Sequence, residues 1–301
     1  MSKKRSGFQN RLEYYALKTS MFFLHLFPMS RAQKIGEILA LFIYYFVPVR
    51  KKHILTMLER SFPEKGKKEI RNIARNVYKN FMKTVIEMAF FPVLSDETIK
   101  NMMVYEDESM VYNALSRGKG LIFMSAHFGN WELTALAFSK KYPMSVIVAK
   151  QSNPLVDKMI NGIRTEKGFK AIDKDDKMAF RSIIKTLKAN ETVAILADQD
   201  AGKQGVFVPF FSRQASTPKG PALFALKSGA PIIFVFGTRE PDQKIKVKMR
   251  EIPFPCTGNE EEDIKIINTQ YSRLLEQAVR ENPDHWFWFH RKWKTRPPSE
   301  N

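Results

Sequence analysis

The alternation of apolar and polar positions divides the 301-residue chain into an apolar helical beginning and a longer stretch where short apolar runs alternate with amphipathic ones. Residues 8 to 49 are rich in Phe, Leu, Ile and Tyr. They fall into two helix-like runs, Tyr14 to Phe27 and Ile35 to Val49, parted at Pro28, Met29 and Ser30. Lys67 to Phe91 reads as an amphipathic helix, with Ile70, Ile73, Ala74, Val77, Phe81, Val85 and Met88 at steps of three and four. It is expected to pack beneath the region that carries the chemistry. Buried strands are predicted at Leu121 to Met124, Met144 to Ala149, Thr192 to Ala197 and Pro231 to Gly237, with a brief one at Ala171 and Ile172. Helices are predicted from about Asn130, from Asn153-Pro154 to about Lys167, over Lys177 to Lys188, from Pro221 to Lys227 before Gly229, and over Glu261 to Glu281. Lys244 to Met249 alternates basic and apolar residues in the manner of an exposed edge strand. Strands alternating with helices over roughly residues 118 to 255 predict an α/β fold, a predominantly parallel central sheet flanked by helices and preceded by a helical amino-terminal part.

Two stretches fit neither period. Val206 to Pro221 holds three prolines in 16 residues, which suppress regular structure, and its Phe207, Phe210 and Phe211 suit the wall of an apolar ligand site. Pro283 to Trp293, PDHWFWFHRKW, suits either a membrane-interface belt or a core-capping helix. Capping is favoured, with Trp286 or Trp288 turned inward.

Charge adds the first hint of partners. There are 49 Lys and Arg against 31 Asp and Glu, a formal net charge of +18. An acidic partner is expected: nucleic acid, anionic lipid or an acidic protein. No zinc-finger spacing, RNP-type motif or dense basic arm accompanies the charge, so nucleic acid is the least favoured. Lys3, Lys4 and Arg5 precede the apolar pair of runs and Arg50, Lys51 and Lys52 follow it. Both flanks would prefer the cytoplasmic side of a membrane. The second run, 15 residues with Glu37 inside it, is short for a spanning helix, and no small-residue cleavage site follows either run. Residues 1 to 50 therefore read as a hydrophobic hairpin or interfacial anchor, and residues 51 to 301 as the domain that carries the activity. Two core helices of a soluble domain are the alternative. The single cysteine, Cys256, excludes an internal disulfide and a multi-cysteine metal site.

The chemistry centres on Gly120 to Glu132, GLIFMSAHFGNWE. A buried strand delivers His127 to the point where a helix begins. On one continuous helix His127 and Glu132 would lie roughly 140° apart, so they meet only if His127 sits in the turn before it. Gly129 and the capping-type Asn130 favour such a turn. A histidine held by a carboxylate is a general base with its tautomer fixed; on spacing alone, an ordinary strand-end histidine is an equal reading. Asp198 and Asp200, just past the strand ending at Ala197, lie where open α/β sheets build their sites, unless they only cap a turn toward Gly202. GxSxG, Walker, GxGxxG and HExxH motifs are absent. Ser125 lacks the elbow context and Cys256 lies far along the chain. What remains is a base without an enzyme nucleophile, which fits direct attack by a substrate hydroxyl on an activated carbonyl. His127 would take the proton, Glu132 would orient the ring, and Arg164 or backbone amides near Gly129 would stabilise the oxyanion. A metal held by His127, Asp198 and Asp200 would have a loose ligand set and is not favoured.

The form His127-Phe128-Gly129-Asn130-Trp131-Glu132 resembles the Hxxxx(D/E) motif of glycerolipid-type acyltransferases, and more narrowly the lipid A late acyltransferases, whose relatives include phosphatidylinositol-mannoside acyltransferases. Further blocks resemble that family in the same order: Ser152 to Leu155 with Arg164 downstream, Ala197 to Asp200, Val208 to Phe211 followed by Ala215 to Pro221, and Trp288 to Trp293. The resemblance spans nearly the whole chain. It implies a glycerolipid-acyltransferase-like fold with an anchor, working at the cytoplasmic face of the inner membrane in lipopolysaccharide synthesis. An acyl chain would pass from acyl-carrier protein, itself acidic, to a hydroxyl of a glycolipid, commonly a lipid A precursor, without a cofactor or metal. His127 and Glu132 become the catalytic pair, and Arg164 and Asp200 site residues. Asn130, Asn153, Asp198, Phe210 and Lys219, in the same blocks, become substrate-binding candidates. Another glycolipid or an aminolipid as acceptor, a hydrolase, and a non-catalytic lipid- or carrier-binding relative are the competing readings.

Overall fold

The computed structural model describes residues 6–47, 49–254 and 256–297. Its amino-terminal part is helical: α1 (Gly7–His25), α2 (Met29–Phe46), α3 (Lys51–Ser61) and α4 (Lys67–Phe90). Ser6 caps α1 by accepting from Gln9 N, and none of the helix is buried. α2 turns Ala32, Gly36, Ala40 and Tyr44 onto α4 and leaves Ile38, Phe42 and Phe46 in solvent. No single helix among the described residues is long and apolar enough to cross a membrane. The two predicted apolar runs are thus helices laid on the outside of the molecule, each with one bare apolar side.

After α5 (Asp96–Asn101), β1 (Met103–Tyr105) and α6 (Ser109–Leu115), the predicted alternation unfolds: β2 (Leu121–Ser125), α7 (Trp131–Ser139), β3 (Met144–Val148), α8 (Pro154–Glu166), β4 (Phe169–Asp173), α9 (Ala179–Lys188) and β5 (Thr192–Leu196). A hairpin of β6 (Val206–Phe210) and β7 (Arg213–Thr217) precedes α10 (Gly220–Ser228), β8 (Ile232–Arg239), β9 (Ile245–Ile252) and α11 (Glu260–Glu281). The fold is α/β. Seven strands form one sheet in the order β1-β9-β8-β2-β5-β3-β4, parallel from β8 to β4, with β9 antiparallel to β8. Every residue of β2 is buried, as the unbroken apolar run Leu121 to Met124 requires of a central parallel strand. Its side chains part by period two. Ile122 and Met124 join the core under α10, α11 and the C-terminal tryptophans, whereas Leu121 and Phe123 join the core under α7 and the end of α4.

Three sequence expectations are corrected. The alternating strand at Lys244 to Met249 is not an edge, because the three-residue β1 pairs with its outer side. The proline-rich stretch is a regular hairpin: Phe211 and Ser212 both have positive φ, 49° and 58°, the geometry of a two-residue primed turn, and Pro209 stands opposite Gln214 in an isolated two-stranded ladder. Residues 283–293 form no helix. Trp286 and Trp288 are both buried while Phe287 faces the other way, onto Phe81 and His127, in a turn closed by Trp288 N donating to Trp286 O at 2.9 Å.

Candidate active site

β2 and β5 are neighbours, with Ser125 opposite Leu196. Both strands end there, and Ala197 N donates to Ser125 O at 3.0 Å. Continuing that register by two residues sets His127 beside Asp198. The imidazole Nδ1 lies 2.8 Å from Asp198 Oδ1. On the carboxylate's other side Trp286 Nε1 donates to Oδ2 at 3.0 Å. Asp198 is only 2% exposed, yet these donors keep it ionised. Burial would raise its pKa, but His127 and the indole hold it at about 2. An ionised carboxylate can only accept, so Nδ1 carries the proton and Nε2 of the neutral ring is the available base. Burial would likewise lower the histidine's pKa. The charge and hydrogen bond of Asp198, with the charge of Glu132, outweigh it and the pKa is raised.

Glu132 is therefore near His127 but does not orient it, which corrects the pairing expected from local spacing. Helix α7 starts at Trp131 and turns Glu132 toward α8, where Arg164 meets it with two bonds, Nη2 to Oε1 at 2.5 Å and Nε to Oε2 at 3.3 Å. Both side chains are mostly buried. The turn between His127 and α7 is held from below. Gly129 has φ of 56°, and a Cβ there would collide with the carbonyl oxygen of Gly237. Asn130 caps α7 by accepting from Leu133 N and donates to Glu87 Oε2 at 2.6 Å. The wholly buried Glu87 also receives both Nη1 and Nη2 of Arg239, at 2.6 and 2.9 Å, and Nε2 of Gln33. Thr84 donates to Gly129 O. The Gly129 amide is spent on His285 O at 2.9 Å and the Phe128 amide on Ala126 O at 2.8 Å, so neither of these two serves an oxyanion.

His127, Glu132, Arg164, Gln199 and Asp200 line the mouth of a cavity of about 780 Å³. Its inner part runs between α7 and the sheet and is walled by Phe123, Ala135, Phe138, Met144, Val146 and Val235. The volume lies within the range of small-molecule sites, and the inner lining is apolar. Of the residues singled out in the sequence, the others stand back from it. Asp198 lies behind the imidazole. Asn130 and Asn153 are buried helix caps, Asn153 donating to Asn10 O and Glu13 Oε2. Phe210 packs in the core against Trp286 and Trp293 rather than walling a ligand site. Lys219 borders a separate open cavity between the hairpin and the start of α11. Asp200 lines the mouth but commits its carboxylate to Thr295, accepting from its N and Oγ1.

The family model for bacterial lipid A biosynthesis acyltransferases matches residues 3–295. The chain belongs to that family. Its relatives include the lipid A biosynthesis lauroyltransferase of Escherichia coli K12, 26% identical over 84% of this chain and 81% of that protein. A lipid A biosynthesis acyltransferase of Haemophilus influenzae is 26% identical over 80% and 76%. A phosphatidylinositol mannoside acyltransferase of Mycolicibacterium smegmatis is 26% identical over 42% of each chain. For this lipid A acyltransferase family member, acyl transfer is the class of reaction the site has to perform. A histidine with one nitrogen held by a buried carboxylate and an arginine lining the same, largely apolar cavity are parts suited to that class.

Sequence reasoning missed Glu87, Arg239 and the hydrogen-bonding role of Trp286. Glu87 did carry a signal, since it falls three and seven residues after Thr84 and Asn80 on a helix whose apolar stripe passes through Ile73 and Val77. A lone acid on such a stripe calls for a buried partner.

Proposed function

We propose that the protein moves a fatty acyl chain from an acyl-carrier-protein thioester to a hydroxyl of a lipid A precursor, at the cytoplasmic face of the inner membrane. The observation that carries this reading is the His127–Asp198 pair at the mouth of the apolar cavity. The acceptor hydroxyl oxygen attacks the thioester carbonyl carbon as His127 Nε2 takes its proton. The resulting oxyanion is met by Arg164, which Glu132 holds in place; Glu132 thus acts on the reaction through Arg164. Collapse of the tetrahedral intermediate breaks the C–S bond, and the imidazolium returns the proton to the departing thiolate, leaving an ester and a free carrier thiol. Asp198 fixes the tautomer and offsets the transient imidazolium charge. The net charge of +18 favours the acidic carrier, the precursor's phosphates and an anionic membrane surface. The outward apolar sides of α1 and α2 support attachment to a lipid surface.

The decisive experiment is mass spectrometry of the product from detergent-purified protein given a lipid A precursor and a panel of acyl-carrier-protein thioesters, with His127→Ala alongside. A gain of one acyl chain that is lost in the variant is the expected result. No gain with any donor would redirect the search to other glycolipid acceptors, such as those named for the mannoside-modifying relatives.

A further inference from the structure

We propose that Trp286 is a positioning residue of the reaction, acting on His127 through Asp198; this rests on the reading of His127 as the base. The segment that carries it runs antiparallel to the catalytic turn. Phe287 N donates to His127 O at 3.0 Å, Gly129 N donates to His285 O at 2.9 Å, and Phe128 bridges Trp286. From this register the side chains diverge. Phe287 lies against the imidazole, with ring centroids 5.9 Å apart. Trp286 points into the core and reaches the carboxylate oxygen that His127 leaves open. One short segment thus fixes the backbone of the base, one side of its ring and its carboxylate.

A buried carboxylate with one partner can swing about its terminal torsion, which is soft, and is costly to keep charged. The indole removes both freedoms. It is itself immobilised, fully buried with Phe210, Trp288 and Trp293 packed around it. The same segment braces the loop after β5 further on: His290 Nε2 accepts from Asp200 N at 2.8 Å, and Thr295 donates to Asp200. A tryptophan present only for bulk has no need of an N–H on a catalytic carboxylate.

The charged and titratable groups around His127 are Asp198 after β5, Glu132 of α7 with Arg164 of α8, and His290 and Lys292 of the C-terminal segment with Asp200. Tyr271 of α11 donates its hydroxyl to Ser125 O and senses the Asp198 charge. Besides the histidine itself, whose ring and backbone amide both bond Asp198, Trp286 supplies the carboxylate with a side-chain donor that does not titrate.

The test is Trp286→Phe, which keeps a large ring and deletes the N–H. Expected is a fall in kcat of about 10-fold, the scale of one hydrogen bond to a charged group, with KM for the acyl donor unchanged. The acid limb of the pH profile should move to higher pH, because a carboxylate that has lost its indole donor holds the imidazolium proton more strongly. Trp288→Phe, whose indole donates to Pro283 O instead, should leave the acid limb in place. Wild-type kcat and pH profile in Trp286→Phe, or a loss of activity that follows a lowered Tm with the limb unmoved, would overturn the proposal. Should Trp286→Phe not fold, the indole N–H resonance of Trp286 in the wild-type protein decides: it is expected to titrate with His127 and to stop doing so in Asp198→Asn. An indifferent resonance overturns the proposal. Full turnover in His127→Ala would remove the catalytic reading itself, whereas an inactive His127→Ala beside a normal Trp286→Phe defeats only the role of Trp286.

Discussion

His127 has two carboxylates within electrostatic reach, and only Asp198 touches it. Replacing Asp198 by Asn keeps the shape and exchanges an acceptor for an amide that can donate to Nδ1. The ring proton then shifts to Nε2 and the base is lost. Turnover should fall on the order of 10²- to 10⁴-fold, read as initial rates of acyl transfer by mass spectrometry, and undiminished turnover would exclude the pair. The pH profile follows from the same contact. With the neutral imidazole as the proposed base and its pKa raised, the rate is expected to decline as pH falls through that raised value. Residual activity in Asp198→Asn should decline at a lower pH than in the wild type, opposite to the movement expected of Trp286→Phe. His127 was legible in the sequence because a buried strand, a glycine and a capping asparagine announce the turn that carries it. Its partner was not. Local spacing offered Glu132, and only the pairing of β2 with β5, in which Leu121 lies opposite Thr192 and Ser125 opposite Leu196, each 71 positions on in the sequence, brings Asp198 alongside.

At the scale of elements, α4 packs beneath the turn that carries His127, bonding Gly129 O and Asn130. The contacts that do this are polar, through Thr84 and Glu87, and the hydrophobic stripe did not reveal them. Val85, placed on the inner face by sequence spacing, is 40% exposed, whereas Glu87 is buried. Glu87→Ala would strand the Arg239 guanidinium in the core and free the cap of α7. A loss of about 3–5 kcal/mol is expected, the usual result of breaking a buried ion pair from one side, measured from the denaturant midpoint. Pairing Glu87→Ala with Arg239→Met should recover much of that stability but not the activity, since Asn130 still lacks its acceptor. A double variant no more stable than the single one would show that the cost lies elsewhere than in the orphaned cation. The hairpin of β6 and β7 was hidden for a different reason. Its primed turn uses Phe211 and Ser212 where glycine or asparagine would signal it. Tertiary contacts sustain that turn, Phe211 N donating to Glu276 Oε2 and Arg280 stacking on the Phe211 ring, and a local reading cannot see them.

Across the whole molecule, charge and apolar surface bear together on the proposed attachment to a lipid surface. α1 lies beside α8, because the cap of α8, Asn153, also donates to Asn10 O and Glu13 Oε2 of α1. α8 in turn carries Arg164 into the cavity mouth. The bare aromatics of the amino-terminal helices include Phe22 on α1 and Phe42 and Phe46 on α2, each more than half exposed. Insertion of those rings into a bilayer interface would place the mouth near the headgroups, where a glycolipid hydroxyl resides. Each fully buried phenylalanine is worth about 1.5–3 kcal/mol, so Phe22→Ser, Phe42→Ser and Phe46→Ser together should weaken binding to vesicles containing anionic lipid by at least about 10-fold. Vesicle flotation measures this directly. Added salt separates the two contributions. Screening, with a Debye length of about 8 Å at physiological ionic strength, should weaken the wild type's attachment only in part, because the ring insertion is not electrostatic. The triple variant, with less apolar surface to insert, should be released by the same salt to a greater extent than the wild type. Equal flotation of wild type and variant at every salt concentration would mean that these helices do not meet the lipid, and that the acceptor must reach His127 by a different face.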